Sequence, residues 1–195
     1  MKTVRMVLAG LVTLAAVSTA VHLTADDRDR DRGNRLRTSL IGFNEVPVVS
    51  TEGKGRFTAK ISDDEQSIDY ELSFSGLQGI VAQSHIHVAQ KDVNGAIVLW
   101  LCQGTSRAPA SVAALTPECP QEGTVSGTLS AANVVEPVTN PPTNPPQQIR
   151  TGELDEVITA IRAGKAYANV HTNLSPGGEI RGQIDADHDH GGKGK

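Results

Sequence analysis

The chain has 195 residues, of which 38% are hydrophobic and 3% aromatic, and a formal net charge of −4. That length suits one domain behind a leader, and the acidic balance excludes nucleic acid and an anionic membrane surface as natural partners. With Trp100 the only tryptophan, the core has to be built mainly from Val, Ile, Leu and Ala.

Residues 1–20 read as a secretory signal: Lys2 and Arg5 give a basic start, 6–17 is mostly apolar, and Ser18-Thr19-Ala20 is a small-x-small cleavage site. The apolar run falls short of the roughly 20 residues a membrane helix needs. The expected mature protein is therefore secreted or periplasmic and free of the membrane. Cleavage removes Lys2 and Arg5 from the 18 basic residues, which leaves 16 against 22 acidic, a net of −6. Residues 21–36 include the run Asp-Asp-Arg-Asp-Arg-Asp-Arg-Gly-Asn-Arg at 26–35, which has no apolar face to bury and is expected to be a disordered leader.

The folded domain is expected over 37–185. Phe57, Ala59 and Ile61, then Ile68, Tyr70, Leu72 and Phe74, alternate with polar residues on either side of a polar turn at 62–66. Residues 55–75 therefore read as a hairpin. In Gln83-Ser84-His85-Ile86-His87-Val88-Ala89 the period of two puts His85 and His87 on one face and Ile86 and Val88 on the other, toward a core. Residues 96–102 are continuously apolar, as expected of a strand buried on both sides.

Cys102 and Cys119 are the only cysteines, and in an exported chain a single pair is read as one disulfide closing the loop 103–118. Two free thiols, or a thiolate metal ligand, are the alternatives. Another strand alternates from Thr124 to Leu129, and the Pro-rich stretch 137–146 reads as a stiff surface loop.

Leu154, Val157, Ile158 and Ile161 fall at helical spacing, with Thr151 as the expected N-cap, acidic Glu153 and Asp155 in the first turn, and Gly164 as the stop. The strand 166–172 sets Tyr167, Asn169 and His171 on one face. A last strand, 180–184, follows a turn at 175–178. Residues 186–195 form a polar His/Asp/Gly/Lys tail with no means of packing. About seven short strands and one short helix predict an all-β antiparallel sandwich.

Two imidazoles fixed on one strand need one more from a neighbour to make a three-nitrogen metal site. His171 is the only other histidine in a strand of the folded region, because His22, His188 and His190 lie in the terminal segments. The expected metal ligands are His85, His87 and His171. Copper is preferred over zinc by its higher affinity for nitrogen donors, and zinc is the alternative.

Asn169 and Glu179 are candidates for orienting a ligand by hydrogen bond. Glu45, Glu179 and Arg181 are otherwise read as surface or turn residues. The function expected is binding of one transition metal for storage, delivery or redox chemistry. A metal-free module for an extracellular protein or polysaccharide is the alternative, favoured if the ring nitrogens lie more than about 5 Å apart. A copper-dependent oxidase or dismutase is a third reading. There is no Gly-x-Ser-x-Gly, phosphate loop or dinucleotide fingerprint.

Three separated motifs also carry a family likeness: Leu40-Ile41-Gly42-Phe43-Asn44-Glu45-Val46-Pro47; Ser84-His85-Ile86-His87 with Val93-Asn94-Gly95; and Ala166-Tyr167-Ala168-Asn169-Val170-His171-Thr172 with Pro176-Gly177-Gly178-Glu179-Ile180-Arg181-Gly182. In this order they resemble the CHRD domain, named after chordin, from about Arg37 to Asp185. The resemblance implies an immunoglobulin-like β-sandwich or barrel and an extracellular setting, and it implies no established reaction. Cys102 and Cys119 resemble a pair found in many single-domain members.

Overall fold

A computed structural model describes residues 33–136 and 147–186. The signal segment, most of the charged leader, the Pro-rich loop 137–146 and the tail from 187 lie outside the described residues. The strands are β1 (Arg35–Ile41), β2 (Lys54–Ile61), β3 (Ser67–Ser75), β4 (Val81–Val88), β5 (Ala96–Gln103), β6 (Gly123–Ser130), β7 (Ala166–Thr172), β8 (Ile180–Gln183) and β9 (Asp185–Ala186). One helix, α1 (Leu154–Arg162), precedes β7.

The strands form one antiparallel sheet in the order β5-β4-β7-β8-β1-β2-β3-β6, with β9 pairing β1. Its two ends meet. Leu99 of β5 bridges Val134 just beyond β6, Val135 N–H donates to Val98 O at 3.0 Å, and the Tyr70 hydroxyl donates to Leu101 O at 2.5 Å. The result is a nearly closed antiparallel barrel, mostly β, with α1 the one α-helix named among the described residues.

The expected elements form for the expected reasons. Residues 54–75 make the hairpin, with Ile61 opposite Ile68 and Lys54 opposite Ser75. The alternating apolar side chains Phe57, Ile61, Ile68, Leu72 and Phe74 are buried inside it, each worth about 1.5–3 kcal/mol of transfer free energy. The apolar stripe of α1 covers the barrel with Leu154, Val157, Ile158 and Ile161. The helix ends in a turn at Gly164, where Lys165 N–H reaches Ala160 O and Gly164 N–H reaches Ile161 O.

Its start differs from expectation. Glu153, not Thr151, is the N-cap, and the first turn carries Asp155 and Glu156. No side chain caps the helix: the Glu153 carboxylate instead accepts from Arg150 N–H at 2.8 Å, in the turn before it. Strand β1 begins at Arg35, inside the stretch read as leader, because Leu36 is buried against the barrel core and pairs with Ala186.

Cys102 and Cys119 form the disulfide. The loop it closes is folded around Gln103, whose side chain donates to Ala113 O and Thr116 O and accepts from Ala108 N–H. Ala108 and Val112 of this loop pack on Trp100 in a small apolar cluster apart from the main core. Among the described residues no helix is long and apolar enough to cross a membrane.

Candidate metal centre

Strands β4 and β7 are neighbours, and their register decides the site. Gln83 pairs with His171, His85 with Asn169, and His87 with Tyr167. Residues that face each other across a ladder share a face, so the period-two pattern of each strand merges into one patch. Beyond β7, Asn169 pairs with Arg181 of β8. On the other side Trp100 lies opposite His85, and the register with β5 shifts on both sides of the His85–Ile86 pair.

This patch is not a solvated face. Ile86 points into the core as expected, but the opposite face of β4 and its continuation on β7 are buried as well: His85 is 0% exposed, His87 6% and His171 of β7 5%. Glu45 and Arg181, read from sequence as surface or turn residues, are buried too, at 4% and 2%. Both belong to the covering layer. Glu45 follows the short 3₁₀ turn after β1, and the Arg181 guanidinium donates to Asn94 Oδ1 at 3.1 Å and Val93 O at 2.8 Å in the loop before β5.

The three imidazoles converge. His85 Nδ1 lies 3.2 Å from His171 Nε2, and ligand nitrogens from His85, His87 and His171 all lie within 4.8 Å of one another. Two metal–nitrogen bonds of about 2.0 Å at a tetrahedral angle span about 3.3 Å. The closest pair already has that spacing, and the whole set falls inside the 5 Å bound set for a metal-free reading. A group of this kind is able to hold a metal ion.

Backbone carbonyls decide which nitrogens face inward. His87 Nδ1 is 3.0 Å from Gly95 O, and His171 Nδ1 is 2.9 Å from Pro176 O. A carbonyl only accepts, so each Nδ1 carries the proton and each Nε2 keeps a lone pair. Burial holds the three rings neutral. It pushes His87 down to about 4, despite the bond to Gly95, and it pushes His171 down as well. His85 is held well below the usual range by burial first, then by its two histidine neighbours.

The two Nε2 lone pairs meet a third acceptor. Asn169 Oδ1 lies 3.0 Å from His171 Nε2 and 3.1 Å from His87 Nε2. The Asn169 side chain also favours the charged form of Glu45 on its other side, as its N–H end does when the oxygen faces the rings. His85 Nδ1–H is the one donor positioned among these acceptors. Such a cluster of buried lone pairs lacks protons and suits a cation. His85 Nε2 has no hydrogen-bond partner, and its ring meets Trp100 edge-on, at 82° and 4.3 Å between centroids.

Sequence reasoning placed the histidines and Asn169 but not their supports. Gly95 and Pro176 supply the orienting carbonyls, and Asn94 ties the loops together by donating to Val46 O at 2.8 Å. Glycine is required at Gly95, where a Cβ would lie 2.0 Å from Val88 O. It is required at Gly178, where φ is +124° and a Cβ would lie 2.2 Å from Glu45 Oε1. The signal for these positions was in the chain, in the Val93-Asn94-Gly95 and Pro176-Gly177-Gly178 motifs.

Glu179 bonds to none of the histidines. Its carboxylate accepts from Thr51 Oγ1, Gln78 N–H and Thr172 Oγ1 at 2.7–2.8 Å. Burial works against its charge, but these donors together hold the carboxyl below the usual range. It braces the loop that carries Pro176, and so acts on His171 at one remove.

A nearly closed β-barrel with a buried three-imidazole cluster beside one edge of its sheet is the class of domain these features define. The profile of the CHRD domain matches residues 36–184, most of the chain, and the protein belongs to that family. No curated protein and no solved structure matches it.

Proposed function

We propose that this CHRD domain is an exported binder of a single transition-metal ion, copper, held by His85, His87 and His171. His87 and His171 bind through Nε2, and His85 through Nδ1, the nitrogen that faces His171, once its proton has moved to the unpartnered Nε2. The observation that carries the reading is the tautomer lock: Gly95 O and Pro176 O take the Nδ1 protons, so two neutral rings aim lone pairs at one point. Carbonyl-oriented histidines are the usual support of a metal site. Nitrogen donors favour copper in the Irving–Williams order, with zinc next. The job is storage, delivery or redox chemistry of that ion.

Copper loading of the purified mature chain, followed by desalting and metal analysis, tests this. One equivalent is expected to remain, and His87→Ala is expected to lose it. Truncation after Ala186, which removes His188 and His190, is expected to leave it in place. Less than a tenth of an equivalent on the wild-type chain would overturn the proposal, as would retention by His87→Ala.

A further inference from the structure

We infer that Asn169 is a fourth donor at this site, binding the ion through Oδ1, and that Glu45 is the positioning residue that aims it. The inference rests on the three-histidine reading and adds what kind of ion the site takes.

An asparagine beside a metal-bound histidine ordinarily orients the ring by donating or accepting a hydrogen bond. Asn169 cannot do this. Its oxygen faces Nε2 of both His87 and His171, at 3.1 and 3.0 Å, and neither nitrogen has a proton to give. The orienting role belongs to Gly95 O and Pro176 O instead. Three acceptors in contact repel one another unless a cation sits between them. An oxygen in van der Waals contact with two ligand nitrogens needs only a small side-chain movement to share their ion.

Rotation of the amide by half a turn would relieve the clash by presenting N–H groups to both rings. Glu45 opposes that rotation. Its carboxyl is buried, and the Asn169 side chain favours its charged form; a flipped amide would set oxygen against that charge. Glu45 is itself held in place. The Arg181 guanidinium draws it electrostatically, and Gly178 leaves no room on its far side. A buried carboxyl group with Oε1 unpartnered needs a reason; aiming the amide oxygen is one.

Three imidazole nitrogens and one amide oxygen form a borderline-to-hard donor set with no sulfur. Mixed nitrogen and oxygen ligands suit Cu(II), whereas Cu(I) selects soft thiolate or thioether donors. The site is therefore selective for divalent copper over monovalent.

The test measures Cu(II) and Cu(I) affinity by competition with chelators for the wild-type chain, Asn169→Leu, Glu45→Leu and Glu45→Gln. Asn169→Leu is expected to weaken Cu(II) roughly 10- to 100-fold and to change its electron paramagnetic resonance spectrum, with Cu(I) affinity altered much less. Glu45→Leu is expected to follow it. Glu45→Gln keeps an acceptor for the amide and is expected to remain close to wild type. Asn169→Leu with unchanged Cu(II) affinity and spectrum overturns the inference while the three-histidine site stands. A wild-type chain that binds no Cu(II) overturns both. Glu45→Gln as weak as Glu45→Leu overturns the aiming role of Glu45. The wild-type chain loaded with zinc gives a readout independent of the variants' folding. The Asn169 side-chain carbonyl ¹³C resonance is expected to shift along the same titration as the imidazole nitrogens, and a resonance that stays put overturns coordination by Oδ1.

Discussion

The guanidinium carbon of Arg181 lies 3.4 Å from the centroid of the Tyr167 ring. Tyr167 in turn stacks on His87 with centroids 4.6 Å apart and planes 3° from parallel, so cation, phenol and imidazole form one column. The Tyr167 hydroxyl accepts from Gly95 N–H at 3.3 Å, the residue whose carbonyl holds His87 Nδ1. The column fixes the plane of His87 from above, and the loop fixes its rotation from the side.

Arg181→Met removes the cation of this column, two hydrogen bonds to the 93–94 loop and the charge facing Glu45. A buried charge stripped of its partner costs about 3–5 kcal/mol. Urea unfolding should show a drop of about that size, with the midpoint lowered and the slope retained. Arg181→Lys should recover little of it, since an ammonium has neither the planar stacking surface nor the fork.

Gly178 and Gly177 are neighbours with different demands. A Cβ at Gly178 would strike the Glu45 carboxylate and sits at positive φ, whereas nothing lies within 4 Å of a Cβ at Gly177. Gly178→Ala is expected to cost about 2–3 kcal/mol through strain and displacement of Glu45, and to weaken copper binding with it. Gly177→Ala should stay within about 0.5 kcal/mol of wild type. Equal effects in thermal melts would refute this account of the turn.

The Cys102–Cys119 bond closes a loop whose ends are 17 residues apart, worth about 3 kcal/mol in the chain-entropy model. Replacing both cysteines by serine should lower stability by about that amount. Because Ala108 and Val112 of the loop pack on Trp100, which abuts His85, tryptophan fluorescence should also report a loosened environment before global unfolding.

The metal-free protein should lose stability in mild acid. Burial depresses His87 from 6.5 to about 4 and shifts His85 and His171 the same way. As pH falls below 6.5 the unfolded chain takes up protons that the folded one refuses, so stability present above 6.5 declines until about pH 4. For His87 alone this amounts to about 3 kcal/mol. Glu45, pushed up from 4.5 to about 7 by burial, works the other way, gaining stability as pH drops through that range. Three imidazoles outweigh one carboxyl, so the urea midpoint at pH 4.5 should lie below that at pH 7. An unchanged or higher midpoint would contradict it.

The linear chain determined this protein's strands and the membership of its histidine trio. Side-chain alternation is set by backbone pleat, so His85 and His87 had to share a side, as did Asn169 and His171. The apolar spacing of Leu154, Val157, Ile158 and Ile161 likewise marked the buried stripe of the helix. Its first residue was less legible, because the glutamate at 153 competes with Thr151 for the cap and only local geometry chooses.

Tertiary structure alone decided that β4 lies beside β7 in the register that merges their polar faces, and that loops cover those faces. Alternation tells which way a side chain points, not what is packed over it. Glu45 and Arg181 therefore looked solvent-facing, since an isolated charge belongs in water unless a partner is at hand. The Arg181 partners Asn94 and Val93 lie 87 and 88 residues away in sequence, and only folding brings them together.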